Sequence, residues 1–251
     1  MSVVTCRDIG TIGRAGNQLF LYCLAKGYAE SVGAHFQCGD WWGRKVFPQA
    51  FFDDAVGPYL PQTELDSESS KPLGYWFGQT DIDIRVFGQH QDYLQFYTRT
   101  QAKKWLRFDD SFAKLQPLLG ATYTAAHLRR GDYINNENYC FVSDLSYDIA
   151  LKKFEIPDLI VPVEEGRIIP HKTFQHMGLP WLSDFLFLRG AAHLLRGNSS
   201  FSVWASWLGE GKTYSPVVRD LTGFQHVDFV EGNHPCTAGK FKNQSDLFLK
   251  E

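Results

Sequence analysis

The sequence lacks the features that mark membrane-spanning, disulfide-rich and nucleic-acid-binding proteins. Its five cysteines are scattered, odd in number and show no CxxC or Cys/His spacing, which excludes a disulfide framework and a zinc site as working hypotheses. No stretch approaches about 18 consecutive apolar residues, and the opening residues, MSVVTCRDIG, hold no charged-then-apolar leader. A formal net charge of -3 argues against binding nucleic acid by bulk electrostatics. Any anion must therefore be bound by a local cluster of charges.

The composition is that of a folded globular protein, with 44% hydrophobic and 21% charged residues. A chain of 251 residues can hold one large domain or two smaller ones. Predicted strands alternate with predicted helices, which indicates an α/β fold with parallel sheets. We place the boundary between two domains, 1–118 and 119–251, just before a strand that ends in two arginines.

The first half opens with a predicted strand at 2–9, a glycine loop, and a helix whose apolar residues recur at three- and four-residue spacing from Asn17. This order is typical of the start of a Rossmann-like unit. The glycines follow GxxGxxG rather than GxGxxG, and no acidic residue closes a second strand about twenty residues on, so a nicotinamide site is not expected. Residues 91–118 are predicted to be largely helical.

The second half is predicted to contain a strand at 121–128, a loop at 130–143, a helix at 144–154, a strand at 158–163, a helix at 180–195 and a further helix starting within SFSVWASWLG. Between the second strand and the helix at 180, residues 155–179 hold only that short strand and a loop broken by proline and glycine.

The stretch ATYTAAHLRRGDY at 121–133 is the strongest candidate for chemistry. A buried strand delivers Arg129 and Arg130 at its C-terminal end, where parallel sheets bind their ligands. The planar fork of arginine matches the oxygens of a phosphate or diphosphate. In the alternative interpretation, one arginine pairs with Asp132 and the other is a solvated surface charge. Spacing alone leaves both interpretations open.

The HLRRGDY stretch resembles the HxRRxD(Y) motif of the α1,2- and α1,6-fucosyltransferases and of the protein O-fucosyltransferases. Two further stretches are similar to the α1,2 branch, namely GRAGNQLFLYCLAKGYAE at 13–30 and NSSFSVWASWLG at 198–209. The segment FGQHQDYL at 87–94 resembles the "GYFQSEKYF" segment that lies between the first two motifs of that family. The four stretches occur in the family's order and span most of the chain.

The resemblance implies two Rossmann-like domains that face a cleft, the GT-B type of glycosyltransferase fold. Relatives carry a longer segment, usually with an "FSDD"-like turn, where this sequence has residues 155–179. We therefore expect the second domain to be shortened by about one strand-helix unit.

The resemblance also implies an enzyme, an inverting fucosyltransferase that moves L-fucose from GDP-fucose to a glycan hydroxyl, α1,2 to a galactoside. GDP-fucose and the glycan are the expected partners, without nucleic acid or a membrane span. Animal Golgi fucosyltransferases carry a membrane anchor, and this sequence shows none. We expect a cytoplasmic enzyme of the microbial or viral kind, or an excised catalytic domain.

Donor binding is expected to involve residues from three motifs. They are His127, Arg129, Arg130, Asp184, Asn198, Ser199, Ser200, Phe201, Gly16, Asn17 and Gln18. Arg129 and Arg130 are the candidates to stabilise the charge that develops on the leaving diphosphate. By resemblance, the turn at 198–201 binds the β-phosphate, Asp184 reads guanine, and His127 lies against the nucleotide. Each assignment has an alternative without a ligand. In these alternatives a serine of the turn at 198–201 serves only as a helix N-cap, Asp184 as an acid that stabilises the start of a helix, and His127 as a buried, hydrogen-bonded imidazole.

Gly16, Asn17 and Gln18 are expected to form the opposite wall of the cleft, with Asn17 at the reacting centre by resemblance to the protein O-fucosyltransferases; the alternative is a helix-capping asparagine. The general base is left open. Glu137 occupies the offset used by the α1,6 enzymes, and Asp132 or an acceptor-assisted route without a protein base are the other options.

We predict metal independence and no resident cofactor, because arginine neutralises a diphosphate without a divalent ion. The one DxD, Asp81-Ile82-Asp83, follows a polar loop rather than an apolar strand. Two alternatives to the fucosyltransferase remain: a transferase of another nucleotide sugar, since fold does not fix the donor, and a sugar-nucleotide-binding module without turnover.

Overall fold

A computed structural model of the chain describes residues 2–52, 63–66, 78–86, 95–113, 122–134, 140–156, 160–164, 172–218 and 223–233. The chain divides into two compact units. The N-terminal unit is Met1–Asp110 together with Glu251, and the C-terminal unit is Ser111–Lys250. The boundary predicted at 118/119 lies further along the chain, within a stretch outside the described residues.

The N-terminal unit contains a parallel sheet of four strands in the order β2-β1-β4-β3. Its strands are β1 (Val3–Cys6), β2 (His35–Cys38), β3 (Thr63–Asp66) and β4 (Ile82–Arg85). Its helices are α1 (Ala15–Ser31), α2 (Pro48–Phe52) and α3 (Arg99–Trp105). The predicted order of strand, glycine loop and helix is confirmed by β1 and α1.

Aromatic packing surrounds α1 in this unit. The rings of Tyr22 and Trp41 stack with 5.1 Å between their centroids, and Phe47 is fully buried beside Trp41. The aromatic cluster that follows β2 therefore contributes to the core, as its composition indicates. The helical prediction for 91–118 is confirmed over α3 and over α4 (Asp110–Ala113), while 91–94 and 114–118 lie outside the described residues.

The C-terminal unit contains a five-stranded sheet in the order β11-β9-β8-β5-β7, parallel except for β11, and a separate parallel pair, β6 and β10. The strands are β5 (Thr124–Leu128), β6 (Cys140–Val142), β7 (Ile160–Glu164), β8 (His193–Leu195), β9 (Lys212–Pro216), β10 (Gly223–Gln225) and β11 (Phe229–Glu231). The helices are α5 (Asp144–Lys153), α6 (Lys172–His176), α7 (Leu182–Gly190) and α8 (Ser200–Leu208).

The helix predicted at 180–195 is wrong in its second half. Helix α7 ends at Gly190, Ala191 takes an extended conformation, and β8 follows. Strand β8 pairs with β5 on one side and β9 on the other, so it lies inside the sheet. Tertiary pairing on both edges outweighs the helical preference of a leucine- and alanine-rich run.

Three shorter elements were also missed. The predicted loop at 130–143 contains a 3-10 turn at Gly131–Tyr133 and the strand β6, and the stretch 155–179 contains α6 in addition to the predicted strand. The helix predicted at 144–154 is confirmed as α5, and the one predicted from the SFSVWASWLG motif is confirmed as α8. None of the helices in the described part of the chain has the length and apolar character needed to cross a bilayer.

Candidate functional site

The ends of β5 and β8 bring two of the sequence motifs together in the C-terminal unit. These strands are parallel neighbours, with Thr124 opposite His193 and Ala126 opposite Leu195. The pairing of these two strands ends at Ala126 and Leu195, and beyond it residue 197 approaches His127 and Arg129 at the carboxyl ends of the strands. Residues 127 and 128 stay in the sheet through their pairing with β7. In open α/β sheets this carboxyl edge is where ligands bind.

Gly197 makes the closest contact between the two segments. A β-carbon at this position would stand 2.7 Å from the carbonyl oxygen of His127 and 3.2 Å from Cβ of Arg129. No residue with a side chain fits there without moving β5 or β8. The glycine therefore sets the distance between the arginine motif and the turn that begins α8.

Arg129 is held in place from two sides. Its guanidinium forms an ion pair with Asp132 and lies over the ring of Tyr133, with 4.9 Å from Cζ to the ring centroid. The side chain is only 11% exposed. Arg130 is more exposed and forms an ion pair with Asp144, the first residue of α5. Each arginine of the motif thus has a carboxylate partner.

His127 lies beneath this edge and is 3% exposed. Burial lowers the pKa of its imidazole to about 3, and the neighbouring charges of Arg129 and Arg196 add to the effect. The side chain is therefore neutral at physiological pH. Its ring lies 5.8 Å from that of Phe201, and its Nδ1 atom has no hydrogen-bond partner among the described residues.

The turn at 198–201 begins α8. Ser199 is the N-cap, and its Oγ accepts a hydrogen bond of 3.5 Å from the backbone N–H of Ser202. The amide nitrogen of Asn198 donates to the carbonyl oxygen of Cys140 at 3.4 Å, while its Oδ1 atom is buried and accepts no hydrogen bond from the part of the chain that the structure describes. Helix N-termini of this kind attract anions, because their first N–H groups lack helical partners.

Asp184 lies in the first turn of α7 and is 5% exposed. The next residue, Phe185, makes an edge-to-face contact with Phe201, with 5.2 Å between ring centroids. This contact connects α7 to the start of α8, the element that carries the predicted phosphate-binding turn. Ser200, the first residue of α8, is half-buried.

The glycine motif lies in the N-terminal unit, between β1 and α1. Gly13 has φ of 60°, in the left-handed region, and the side-chain amide of Gln18 donates to the carbonyl oxygens of Gly10 and Gly13 at 3.3 and 3.4 Å. Gly16 is buried and Asn17 is half-buried. Helix α1 has no acidic residue in its first turn and no side-chain cap.

The DxD stretch has a structural role in the N-terminal unit. Asp83 lies in β4, is fully buried, and accepts hydrogen bonds from the hydroxyl of Thr5 at 2.5 Å and from Nε of Arg7 and Arg85 at 3.0 Å each. The other aspartate of the stretch, Asp81, accepts a hydrogen bond from the backbone N–H of Val3 at 3.0 Å. No group of three His, Cys, Asp or Glu residues that would hold a metal ion occurs within the described ranges.

Sequence reasoning missed Arg196. This residue follows β8, is fully buried, and donates from Nε to the hydroxyl of Ser215 at 3.1 Å. It places a third positive charge under the edge that carries Arg129 and Arg130. Because residues 193–195 were predicted as the end of a helix, nothing in the local sequence indicated that the next arginine follows a strand and is buried. Glu137, the other candidate base, lies outside the described residues.

Comparisons with known proteins identify the fold. No protein-family model matches the sequence, and no curated protein matches it. Among solved structures, the selenomethionine form of the fucosyltransferase NodZ from Bradyrhizobium superposes with a TM-score of 0.52 at 12% identity, over 92% of this chain and 98% of that one. The NodZ α1,6-fucosyltransferase soaked with GDP-fucose gives 0.50 at 12% identity, over 92% and 99%. The α/β prediction, with Rossmann-like domains of the GT-B type, is confirmed.

Proposed function

We propose that the chain is a glycosyltransferase that moves fucose from GDP-fucose to a hydroxyl group of a glycan. The observation that carries this proposal is the contact at Gly197, which joins the arginine motif to the start of α8. The guanidinium groups and the N–H groups at the start of a helix, at the same end of the sheet, provide the hydrogen-bond donors that a diphosphate needs. The fold likeness to NodZ, a protein studied with GDP-fucose, supports the choice of donor.

Arg129 supplies the main catalytic charge in this proposal. Cleavage of the bond to the sugar builds negative charge on the leaving diphosphate, and fixed donors in a dry site stabilise that charge. The carboxylate of Asp132 and the ring of Tyr133 orient the guanidinium before the donor binds. Preorganisation of this kind lowers the entropic cost of binding. With arginine in this role, the reaction does not require a divalent ion.

The nucleoside is assigned to the buried polar groups behind the same edge. Asp184 accepts the N1–H and amino group of guanine, a pair of donors that adenine lacks. The neutral imidazole of His127 and the Oδ1 atom of Asn198 are buried acceptors that a ribose or base satisfies at little electrostatic cost. Ser199, Ser200 and the N–H groups of the turn contact the β-phosphate.

The acceptor side of the proposal rests on the sequence resemblance. Asn17 contacts the reacting sugar, and inversion follows from direct displacement opposite the leaving group. Asp132, Glu137 or the acceptor itself removes the proton of the hydroxyl. We assign the linkage as α1,2 to a galactoside, from the motif order at 13–30 and 198–209, although NodZ is an α1,6 enzyme. We place the enzyme in the cytoplasm.

A transfer assay tests this function. The purified chain is incubated with GDP-fucose labelled in the sugar and with a galactoside, with and without EDTA, and products are separated from donor. We expect label in a glycan product whether or not EDTA is present, and no product with the Arg129→Ala variant. Absence of transfer to any galactoside, with intact GDP binding, would support the non-catalytic module instead. Transfer from another nucleotide sugar alone would support the other alternative.

A further inference from the structure

We infer that Tyr147 is a positioning residue for donor binding, acting through the backbone at the ends of β5 and β8. The identity of the ligand, GDP, rests on the proposed function. The claim that Tyr147 fixes the backbone rests on the geometry of the structure alone. Tyr147 lies in α5 and belongs to none of the motifs that the sequence singles out.

The paired ladder between β5 and β8 ends at Ala126 and Leu195, and the next residues have no register partner on the other strand. At this point the hydroxyl of Tyr147 donates to the carbonyl oxygen of His127 at 2.8 Å and lies 3.4 Å from the carbonyl oxygen of Arg196. One buried hydroxyl therefore contacts both chains immediately after the sheet stops pairing them.

Both carbonyl groups directly precede parts of the proposed site. The chain from His127 continues to Arg129, and the chain from Arg196 continues through Gly197 to the N-cap Ser199. The carbonyl oxygen of His127 is also the atom that a β-carbon on residue 197 would strike. The hydroxyl and the glycine thus act on the same backbone atom from different elements.

The side chain of Tyr147, which donates this hydrogen bond, is itself held in place by packing. Tyr147 is 5% exposed, and its ring packs on Phe229 with 5.1 Å between centroids. It belongs to a cluster of buried residues that includes Ala126 and Leu195, the last paired residues of the two strands. A side chain fixed by packing transmits its hydrogen-bond geometry to the backbone with little loss of entropy.

Tyr214 provides a matched control in the same sheet. It is also buried, and its hydroxyl lies 3.1 Å from Nδ1 of His193, the first residue of β8. That contact is at the opposite end of β8 from residues 196–199. Removal of the Tyr214 hydroxyl deletes a hydrogen bond at the first residue of β8, whereas removal of the Tyr147 hydroxyl deletes the contacts with His127 and Arg196 at the carboxyl ends of β5 and β8.

The test compares Tyr147→Phe and Tyr214→Phe with the wild-type chain. Both variants are expected to unfold a few degrees lower, about the effect of one lost hydrogen bond. Calorimetric titration with GDP is expected to show a Kd raised about tenfold for Tyr147→Phe and changed less than about twofold for Tyr214→Phe. Unchanged GDP affinity in Tyr147→Phe, or an equal loss in both variants, would overturn the inference.

Amide hydrogen exchange separates this inference from the proposed function. Without any nucleotide, Tyr147→Phe is expected to exchange faster over residues 127–130 and 196–200, while Tyr214→Phe leaves these segments as in the wild type. If the wild-type chain did not bind GDP, the proposed function would fail, and exchange would still decide the structural claim. Unchanged exchange over both segments in Tyr147→Phe would refute it.

Discussion

The carbonyl oxygen of His127 lies 2.7 Å from the point at which Gly197 would carry a β-carbon. The two residues are 70 positions apart in the chain (197 − 127): His127 lies near the end of β5, and Gly197 follows the end of β8, just beyond the last residues that these two strands pair. This approach brings Arg129 beside Gly197, in the turn that leads to the N-cap of α8. It is the geometric basis for assigning a diphosphate to that edge.

Gly197→Ala is expected to abolish GDP binding. The added methyl group must displace the backbone of His127 or Cβ of Arg129, at a cost of about 1–3 kcal/mol in stability. Thermal unfolding with and without GDP measures both effects. Gly33→Ala is the control: it is strained by φ of 65° but meets no atom within 4 Å, so it should lose stability and keep its GDP-dependent rise in Tm. Normal GDP protection in folded Gly197→Ala would contradict the assignment.

Arg129→Ala is expected to weaken GDP binding by roughly 100-fold, and Arg130→Ala by roughly tenfold, because the less exposed guanidinium forms the stronger charge-assisted hydrogen bonds. Titration calorimetry measures both values. Arg129→Lys tests geometry, since it keeps the charge but loses the planar fork, and it should recover only part of the affinity. Equal, small losses in the two alanine variants would indicate that the arginines only form ion pairs with Asp132 and Asp144. That result would favour the alternative in which one arginine pairs with Asp132 and neither binds a ligand.

The elements that carry strong local signals were predictable. Strand β5 is a run of small and β-branched residues, and α8 begins at a serine cap followed by an apolar face. Strand β8 was not predictable, because its three residues continue the apolar run of α7 and become a strand only by pairing with β5 and β9. Arg196 was missed for the same reason.

Long-range contacts explain the other omissions. Besides its neighbour Arg85, Asp83 accepts hydrogen bonds from Arg7 and from Thr5, which lies 78 positions away in the sequence. Tyr147 contacts the carbonyl group of Arg196 across 49 positions. Local periodicity predicts that such side chains are buried, but it does not identify the backbone atom that each one contacts. The role of Asp83 as the partner of two arginines therefore emerged only from the fold.

Asp184→Ala is expected to reduce the discrimination between GDP and ADP. A carboxylate that accepts two hydrogen bonds from guanine favours it over adenine, and its loss removes that difference. Competition titrations with GDP and ADP measure the ratio of affinities in the wild-type and variant chains. Asp148→Ala, on the exposed part of α5, serves as a control for loss of one negative charge. An unchanged ratio in Asp184→Ala would remove this residue from the base pocket.

His127 makes stability depend on pH in a predictable direction. Its pKa falls from an ordinary value of 6.5 to about 3 on folding, so the unfolded chain takes up the proton more readily than the folded one. The stabilising effect of the neutral imidazole is complete above pH 6.5 and is lost progressively as the pH falls toward 3. Between about pH 7.5 and about pH 5 this residue should lower the free energy of unfolding by about 2 kcal/mol.

Urea unfolding of the wild-type chain and His127→Gln at the two pH values isolates this effect. The variant is expected to be less stable at neutral pH, because its amide does not match the buried site. Its free energy of unfolding should also fall less than that of the wild type between the two pH values. A pH-dependent loss of the same size in both proteins would show that other groups carry it.

Direct measurement of nucleotide binding tests the central claim, that the edge formed by Arg129, Gly197 and the start of α8 binds the diphosphate of a guanine nucleotide sugar. Titration calorimetry of the wild-type chain with GDP, GDP-fucose, UDP and dTDP is the experiment. We predict binding of GDP and GDP-fucose, at least tenfold weaker binding of UDP and dTDP, and loss of the GDP signal in Arg129→Ala. Equal affinity for all four ligands, or GDP binding that survives in folded Arg129→Ala, would contradict it.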